Sequence, residues 1–457
     1  MNTIVTIAGL GILSMLSEIF HFKKQLFVLI LLGLAAAIGI SVMEWDTAYS
    51  YYNHMVLIDN YAIAFSVLLM SVTLLWFLMS QSYFKSESSM EAHAAIILFA
   101  LCGAICMTCF SDLSMLFIGL EILSISMYVL CGSDKLNKRS NESAMKYFMM
   151  GAFATGFLLF GIALIYGTVG SFNLSAIATY TGSNINNLPM IFYAGIVLLL
   201  VGLLFKVSAA PFHFWAPDVY DGAPTVITAF MATVVKTAAF AAFYRLFATC
   251  FSSVFTFWTD IIAIVAALTM LAGNILAVYQ TSVKRMLAYS SVAHAGYILM
   301  ALAALSQSSK GAILLYLAAY SLSTLGVFAV LNIIHEKKLG NEISVFNGLA
   351  KSNPLAAAMI SICMLSMAGI PPMAGFFGKY YIFLAALNSG FTWLVLIAVL
   401  SSLVGVYYYF RIVMAMYTGK NETAAFEIKG LPLFVLVIAG VLSIIVGLGT
   451  NFIVNLL

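Results

Sequence analysis

Charge is what this sequence has least of. Only 8% of its 457 residues are Asp, Glu, Lys or Arg, against roughly 25% in soluble domains. So few charged side chains cannot keep most of a surface in water, which excludes a soluble multidomain chain. The net charge of +3 is too small, and its carriers too scattered, for nucleic-acid recognition. The six cysteines make no disulfide framework. Cys102, Cys106 and Cys109 share one face of an apolar helix, where a thiol serves as a small polarizable hydrophobe. The formal C-x-x-C of Cys106 and Cys109 is therefore not read as a metal or redox site. There is no cysteine cluster with iron–sulfur spacing, no haem motif and no G-x-G-x-x-G opening a helix after a strand. Redox chemistry and metal binding are thus expected outside this chain. A basic start and a small-residue cleavage site are also lacking, so MNTIVTIAGLGILSMLSEIF reads as a retained first helix.

What is abundant is apolar length. The chain is 63% hydrophobic, with a mean hydropathy of +1.06. Runs of about 20 apolar residues are the unit that crosses a bilayer. Fourteen can be placed, the first near 2–20 and the last near 431–453, which predicts an all-α polytopic membrane protein. Thirteen lysines and arginines fall in loops after odd-numbered spans, Lys420 among them, and one (Lys310) falls after an even-numbered span. Basic loops stay in the cytoplasm, so both termini are predicted on the periplasmic side of a bacterial inner membrane. His21 and His335 read as loop residues, and His54 and His93 as interfacial ones. The longest connection, TVGSFNLSAIATYTGSNINNLPM, reads as a polar, uncharged linker.

Six basic residues remain within the spans, and a charge at that depth is a functional hypothesis by default. Glu121 lies mid-span in LSMLFIGLEILSISMYVL, and Lys236 mid-span in TAFMATVVKTAAFAAFYRLF. Lys206 and Lys379 stand beside helix-breaking sequence: FKVSAAPFHFWAPDVYDGAPT after one span and MLSMAGIPPMAGFFGKYYIF within another. Arg245 and Arg411 lie nearer span ends, where snorkelling or pairing explains them. Structural ion pairs are the bland explanation of the rest. One obvious acid cannot neutralise three central lysines, however, so some of them are expected to be neutral or to change charge state. A proton relay needs such groups.

The apolar run 353–387 is about 35 residues long and would span roughly 50 Å as one helix, beyond the ~30 Å hydrocarbon core. Pro371, Pro372 and the surrounding glycines predict a break. From Lys206 to Lys379 is 173 residues, and the same step carries Glu121 to His294 and Lys236 to position 409, two short of Arg411. Two five-helix units of opposite orientation are implied, the inverted-repeat plan of transporters. The chain then divides into an N-terminal three-helix segment (1–91), a first repeat (92–248), a second (259–417) and a C-terminal helix (431–457).

The stretches FKVSAAPFHFWAPDVYDGAPT, LEILSISMYVL, KYFMMGAFATGFLLFGIALIYG and GIPPMAGFFGK resemble the antiporter-like subunits of complex I, the proton-pumping NADH:quinone oxidoreductase, over essentially the whole chain. The lysine at 379 is similar to one type of these subunits, whereas the M type carries glutamate there. The resemblance implies a relay of Glu121, Lys206, Lys236, His294 and Lys379, with Lys146 and His213 in secondary places. It also implies that Glu121 pairs with Lys206. NAD, FMN, iron–sulfur clusters and quinone would reside in partner subunits, with subunit M and the small K- and J-type subunits as membrane neighbours. A Mrp-type cation/proton antiporter subunit shares the same motifs and is the alternative; a purely structural subunit is a second rival.

Overall fold

The computed structural model of the chain describes residues 1–17, 19–20, 23–86, 90–419 and 426–457. His21 and Lys420 lie outside the described residues. In chain order the helices are α1 (Asn2–Leu16), α2 (Lys23–Met43), α3 (Asn60–Met79), α4 (Gln81–Ser86), α5 (Met90–Cys109), α6 (Leu113–Cys131) and α7 (Lys138–Val169). There follow α8 (Leu174–Ser183), α9 (Met190–Lys206), α10 (Trp215–Gly222), α11 (Thr225–Phe230), α12 (Lys236–Cys250), α13 (Phe255–Val278) and α14 (Val283–Ala304). The last third holds α15 (Ser309–Glu336), α16 (Leu349–Ser352), α17 (Pro354–Ala368), α18 (Ala374–Asn388), α19 (Thr392–Thr418), α20 (Leu431–Leu448) and α21 (Thr450–Val454). A short antiparallel hairpin, β1 (Tyr49–Tyr51) and β2 (Val56–Ile58), joins α2 to α3, with Tyr49 opposite Ile58. Among the described residues, 11 helices are long and apolar enough to cross a membrane, and α1, α9 and α17 are shorter apolar helices. Each of the fourteen expected spans therefore holds helix.

The linker expected before α9 is not all linker. Asn173 ends the extended backbone there, and its side-chain oxygen accepts from the backbone N–H groups of Ser175 and Ala176. Asparagine at such a position starts a helix, and α8 follows.

The chain forms two compact units. The first comprises 1–74, 87–207 and 234–261; the second comprises 75–86, 208–233 and 262–457. These limits differ from the four segments read in the sequence. The N-terminal helices pack within the first unit, and 208–233, after the first break, packs within the second. In the first unit, α5 meets α6 where a Cβ on Gly103 would stand 2.7 Å from the Gly119 carbonyl oxygen. Side chains there would push the helices apart, and small residues let helices approach closely where lipid supplies no hydrophobic drive. In the second unit, α15 packs on α17, α18 and α20.

Three irregularities position the chemistry. α9 stops at Lys206 and helix resumes at Trp215. α17 stops at Ala368 because Gly369 turns left-handed at φ +85°, with the Ile370 N–H returning to the Leu365 carbonyl. Between α11 and α12, Met231–Val235 forms a π-helical turn, a wide turn that recurs at functional sites, and Lys236 is the next residue.

Candidate functional site: two broken helices and their lysines

In the first unit the buried Lys206 closes α9. The last carbonyls of a helix have no partners within it and carry the negative end of its dipole, so the final turn suits an ammonium group. Lys206 Nζ donates to Ser124 Oγ at 2.8 Å and to the Tyr147 hydroxyl at 3.5 Å. It stands 5.7 Å from the centre of the Tyr147 ring. Ser124 in turn donates to the Leu120 carbonyl at 2.5 Å.

Glu121 lies on α6 one turn before Ser124 and is half-buried. The resemblance implies that it pairs with Lys206; among the ion pairs at contact distance between described residues, none joins the two. The Ser124 hydroxyl takes the ammonium instead. A contact pair would require both charges to surrender their solvation, a cost that a neutral hydroxyl partner for the ammonium avoids. Lys236, also buried, belongs to the same unit and follows the π turn.

The second unit holds Lys379 and His294, both buried. Lys379 Nζ donates to the Ala368 carbonyl and to Ser402 Oγ, each at 2.8 Å, and lies 5.0 Å from the centre of the Tyr297 ring. The Ala368 carbonyl is the last of α17. Its availability depends on Gly369, where a Cβ would meet Lys379 Cδ at 2.9 Å and would also carry the strain of the positive φ. His294 is bound on both sides. Its Nδ1 is 2.6 Å from the Tyr316 hydroxyl and its Nε2 is 2.9 Å from that of Tyr409, while Tyr409 shares a short hydrogen bond with Ser290. Beside His294 lies a small cavity, bordered also by Tyr316, Tyr320, Ser366 and Gly375.

The secondary positions separate from these clusters. Lys146 has a side chain 41% exposed and pairs with Glu142 at 2.8 Å on the surface of α7. His213 is buried against the Phe214 ring, with centroids 4.6 Å apart; among the described residues its Nδ1 has no hydrogen-bond partner. Arg245 is paired with Asp59 and lies over the Tyr61 ring, and Arg411 donates to the Val278 carbonyl at 2.8 Å. An ion pair accounts for Arg245, and backbone carbonyls account for Arg411. Lys284, counted with the basic loops, is buried and caps carbonyls at the end of α10. The six cysteines are free thiols, and among the described residues no cluster of His, Cys, Asp and Glu could hold a metal ion.

Sequence reasoning missed Ser124, Tyr147, Tyr297, Tyr316, Ser402 and Tyr409. A signal was there for two of them, Tyr297 and Tyr409. The 173-residue step carries Ser124 to Tyr297, Tyr147 to Tyr320 and Lys236 to Tyr409. Lys206 touches Ser124 as Lys379 faces Tyr297. The same 173-residue step thus links residues in contact with the lysines as well as the charged residues themselves.

Comparison with known proteins places the chain among membrane subunits of one kind. A family described as NADH:quinone oxidoreductase/Mrp antiporter, TM, matches residues 111–405. The NADH-quinone oxidoreductase subunit N of Cytophaga hutchinsonii is 44% identical over 451 residues, covering 98% of this chain and 97% of that one. A chain in the solved respiratory complex I from Thermus thermophilus with bound aureothin superposes with a TM-score of 0.85 at 31% identity, covering 99% of this chain and 98% of that one. A chain of the Mrp complex from Dietzia sp. DQ12-45-1b shares the fold, with a TM-score of 0.88 at 19% identity and coverage of 99% and 95%.

Proposed function

The chain belongs to the membrane family common to NADH:quinone oxidoreductase and Mrp antiporters, and from that premise we propose that it is a proton-translocating membrane subunit of an NADH:quinone oxidoreductase. One observation carries the reading: two buried lysines stand beside helix interruptions, and among the described residues their hydrogen-bond partners are hydroxyls and one carbonyl, not carboxylates. A lysine neutralised by a contact carboxylate is a structural tie. A lysine held by neutral acceptors can lose its proton without leaving a bare counter-charge behind, which a relay requires.

In this reading the proton carriers are Glu121, Lys206 and Lys236 in the first unit and His294 and Lys379 in the second. Glu121 sets the charge on Lys206 across Ser124; when it is neutralised, the Lys206 proton passes to Lys236. Repulsion between like charges then favours release from Lys379. The step between the two sets rests on the 173-residue repeat in the sequence. Lys146 and His213 lie on the supply side. The chain carries no redox centre of its own; NADH, FMN, iron–sulfur and quinone chemistry in partner subunits supplies the energy, with the M, K and J types as membrane neighbours. The protein would sit in a bacterial inner membrane with its basic loops cytoplasmic and its termini periplasmic.

The shared fold of the Mrp chain favours a second reading, in which a cation is exchanged for the proton. The names of relatives 41–44% identical over nearly the full chain support the first. Proton flux measured in proteoliposomes of the purified complex, with NADH oxidation followed in parallel, tests it. Lys236→Ala is expected to lower coupled pumping by about 100-fold, the upper part of what one positioned proton-transfer group contributes falling higher still. Pumping that stays undiminished would sink the relay.

A further inference from the structure

We infer that Tyr316, Tyr409 and Ser290 conduct protons to and from His294, forming with it a four-member wire. The inference rests on the proposal that His294 belongs to the relay, and it adds both the path and the device.

Its basis is the double clasp. A neutral imidazole has one N–H donor and one bare acceptor nitrogen. Here each nitrogen faces a tyrosine hydroxyl that can either donate or accept, Tyr316 at Nδ1 and Tyr409 at Nε2. The Tyr409 hydroxyl also meets Ser290 Oγ, one turn nearer the start of α14 on the same helix. At the other end, Tyr316 borders the small cavity with Ser366 and Tyr320. Ser366 accepts from Ser443 at 3.0 Å. Four exchangeable groups are therefore linked in series through the buried interior of one unit.

The chain has two self-consistent settings. In the first, Ser290 donates to Tyr409, Tyr409 donates to Nε2, and Nδ1–H donates to Tyr316. In the second every bond is reversed. A proton added at Ser290 shifts each hydrogen one place along: Tyr409 gives its hydrogen to Nε2, Nδ1 gives its own to Tyr316, and Tyr316 releases one to the cavity. One proton enters, one leaves, no net charge remains, and His294 has changed tautomer. Resetting requires the hydroxyls to rotate and the imidazole to turn over, which both tyrosine bonds oppose. The groups facing His294 are Tyr297 on its own helix, Tyr316 and Tyr320 from α15, and Tyr409 from α19, with Lys379 of α18 beyond the Tyr297 ring.

The test uses the whole complex in proteoliposomes, reading proton flux, NADH oxidation and the H2O/D2O rate ratio. Tyr409→Phe and Tyr316→Phe keep each ring and delete only the hydroxyl. Each is expected to lower pumping by about tenfold or more and to change the isotope ratio. Tyr407→Phe, on the exposed face of α19, serves as the packing control and should behave as the unaltered protein. If either tyrosine variant fails to assemble, Ser290→Ala decides instead, with a smaller loss of the same kind expected. Should His294→Ala abolish pumping while Tyr409→Phe, Tyr316→Phe and Ser290→Ala pump normally with an unchanged isotope ratio, the wire is overturned and the relay stands. Should His294→Ala itself pump normally, the relay reading fails and takes the wire with it.

Discussion

Lys206 and Lys379 solve one problem from opposite sides of a break. Lys206 is the last residue of α9 and precedes its interruption. Lys379 lies six residues into α18, beyond its interruption, and reaches back to the final carbonyl of α17. The Lys379 ammonium ends at the last carbonyl of the upstream half-helix, where the dipole is negative and carbonyls lack partners. The Lys206 ammonium instead reaches hydroxyls on two other helices, Ser124 of α6 and Tyr147 of α7. What the two sites have in common is a buried lysine beside a helix interruption, bonded to neutral acceptors.

They differ in how firmly each holds its cation. Lys379 has two partners at 2.8 Å, one of them a backbone carbonyl that no side-chain substitution removes. Lys206 has one partner at 2.8 Å and a second at 3.5 Å, both side chains. Lys206 is thus held by side-chain hydroxyls alone, and each of its partners can be removed by substitution.

The comparison can be broken most severely at the lysines themselves. Lys206→Ala and Lys379→Ala are each expected to lower proton flux by about 100-fold with the complex still assembled; normal flux in either would remove that site from the relay. The next effect belongs to Gly369. Gly369→Ala adds about 1–2 kcal/mol of backbone strain and presses on the Lys379 side chain, so flux should fall roughly tenfold, a 1.4 kcal/mol step. Val207→Ala, at the other break, sits at φ −85° and should leave flux near normal. Measuring the two side by side separates the strain at Gly369 from a plain substitution at a helix end, since at the first break the left-handed residue is the next one, Ser208 at φ +62°. The partner hydroxyls come third. A hydrogen bond to a charged group is worth about 1.5–3 kcal/mol, so Ser124→Ala should weaken pumping by roughly tenfold. Ser402→Ala should cost less, because the Ala368 carbonyl remains. The reverse order in a flux assay would contradict the partner geometry described above.

The helical membrane class, the two interruptions and the buried lysines were legible in the sequence because they rest on one-dimensional signals: apolar run length, proline and glycine, and charge where none is expected. The 173-residue step was legible too, yet at position 409 it drew attention to Arg411 and away from Tyr409 itself. A tyrosine in an apolar span carries no charge to mark it, and only its contact with His294 shows its use. The same holds for Ser124, one of many small residues in α6. The pairing of Glu121 with Lys206 came from the family resemblance, which does not say that the hydrogen-bond partners of Lys206 are Ser124 and Tyr147. Likewise, the assignment of 208–233 to the second unit follows from long-range packing that local pattern does not encode.

The central claim is that the buried lysines carry protons and do not merely tie helices together. Lys379→Met tests it most directly, since it keeps an unbranched apolar stem of nearly the same length and deletes the titrating group. The ratio of protons moved to NADH oxidised, measured in proteoliposomes of the assembled complex, should fall well below that of the unaltered protein, or NADH oxidation and pumping should fail together. An unchanged ratio at an unchanged rate of NADH oxidation would contradict the account.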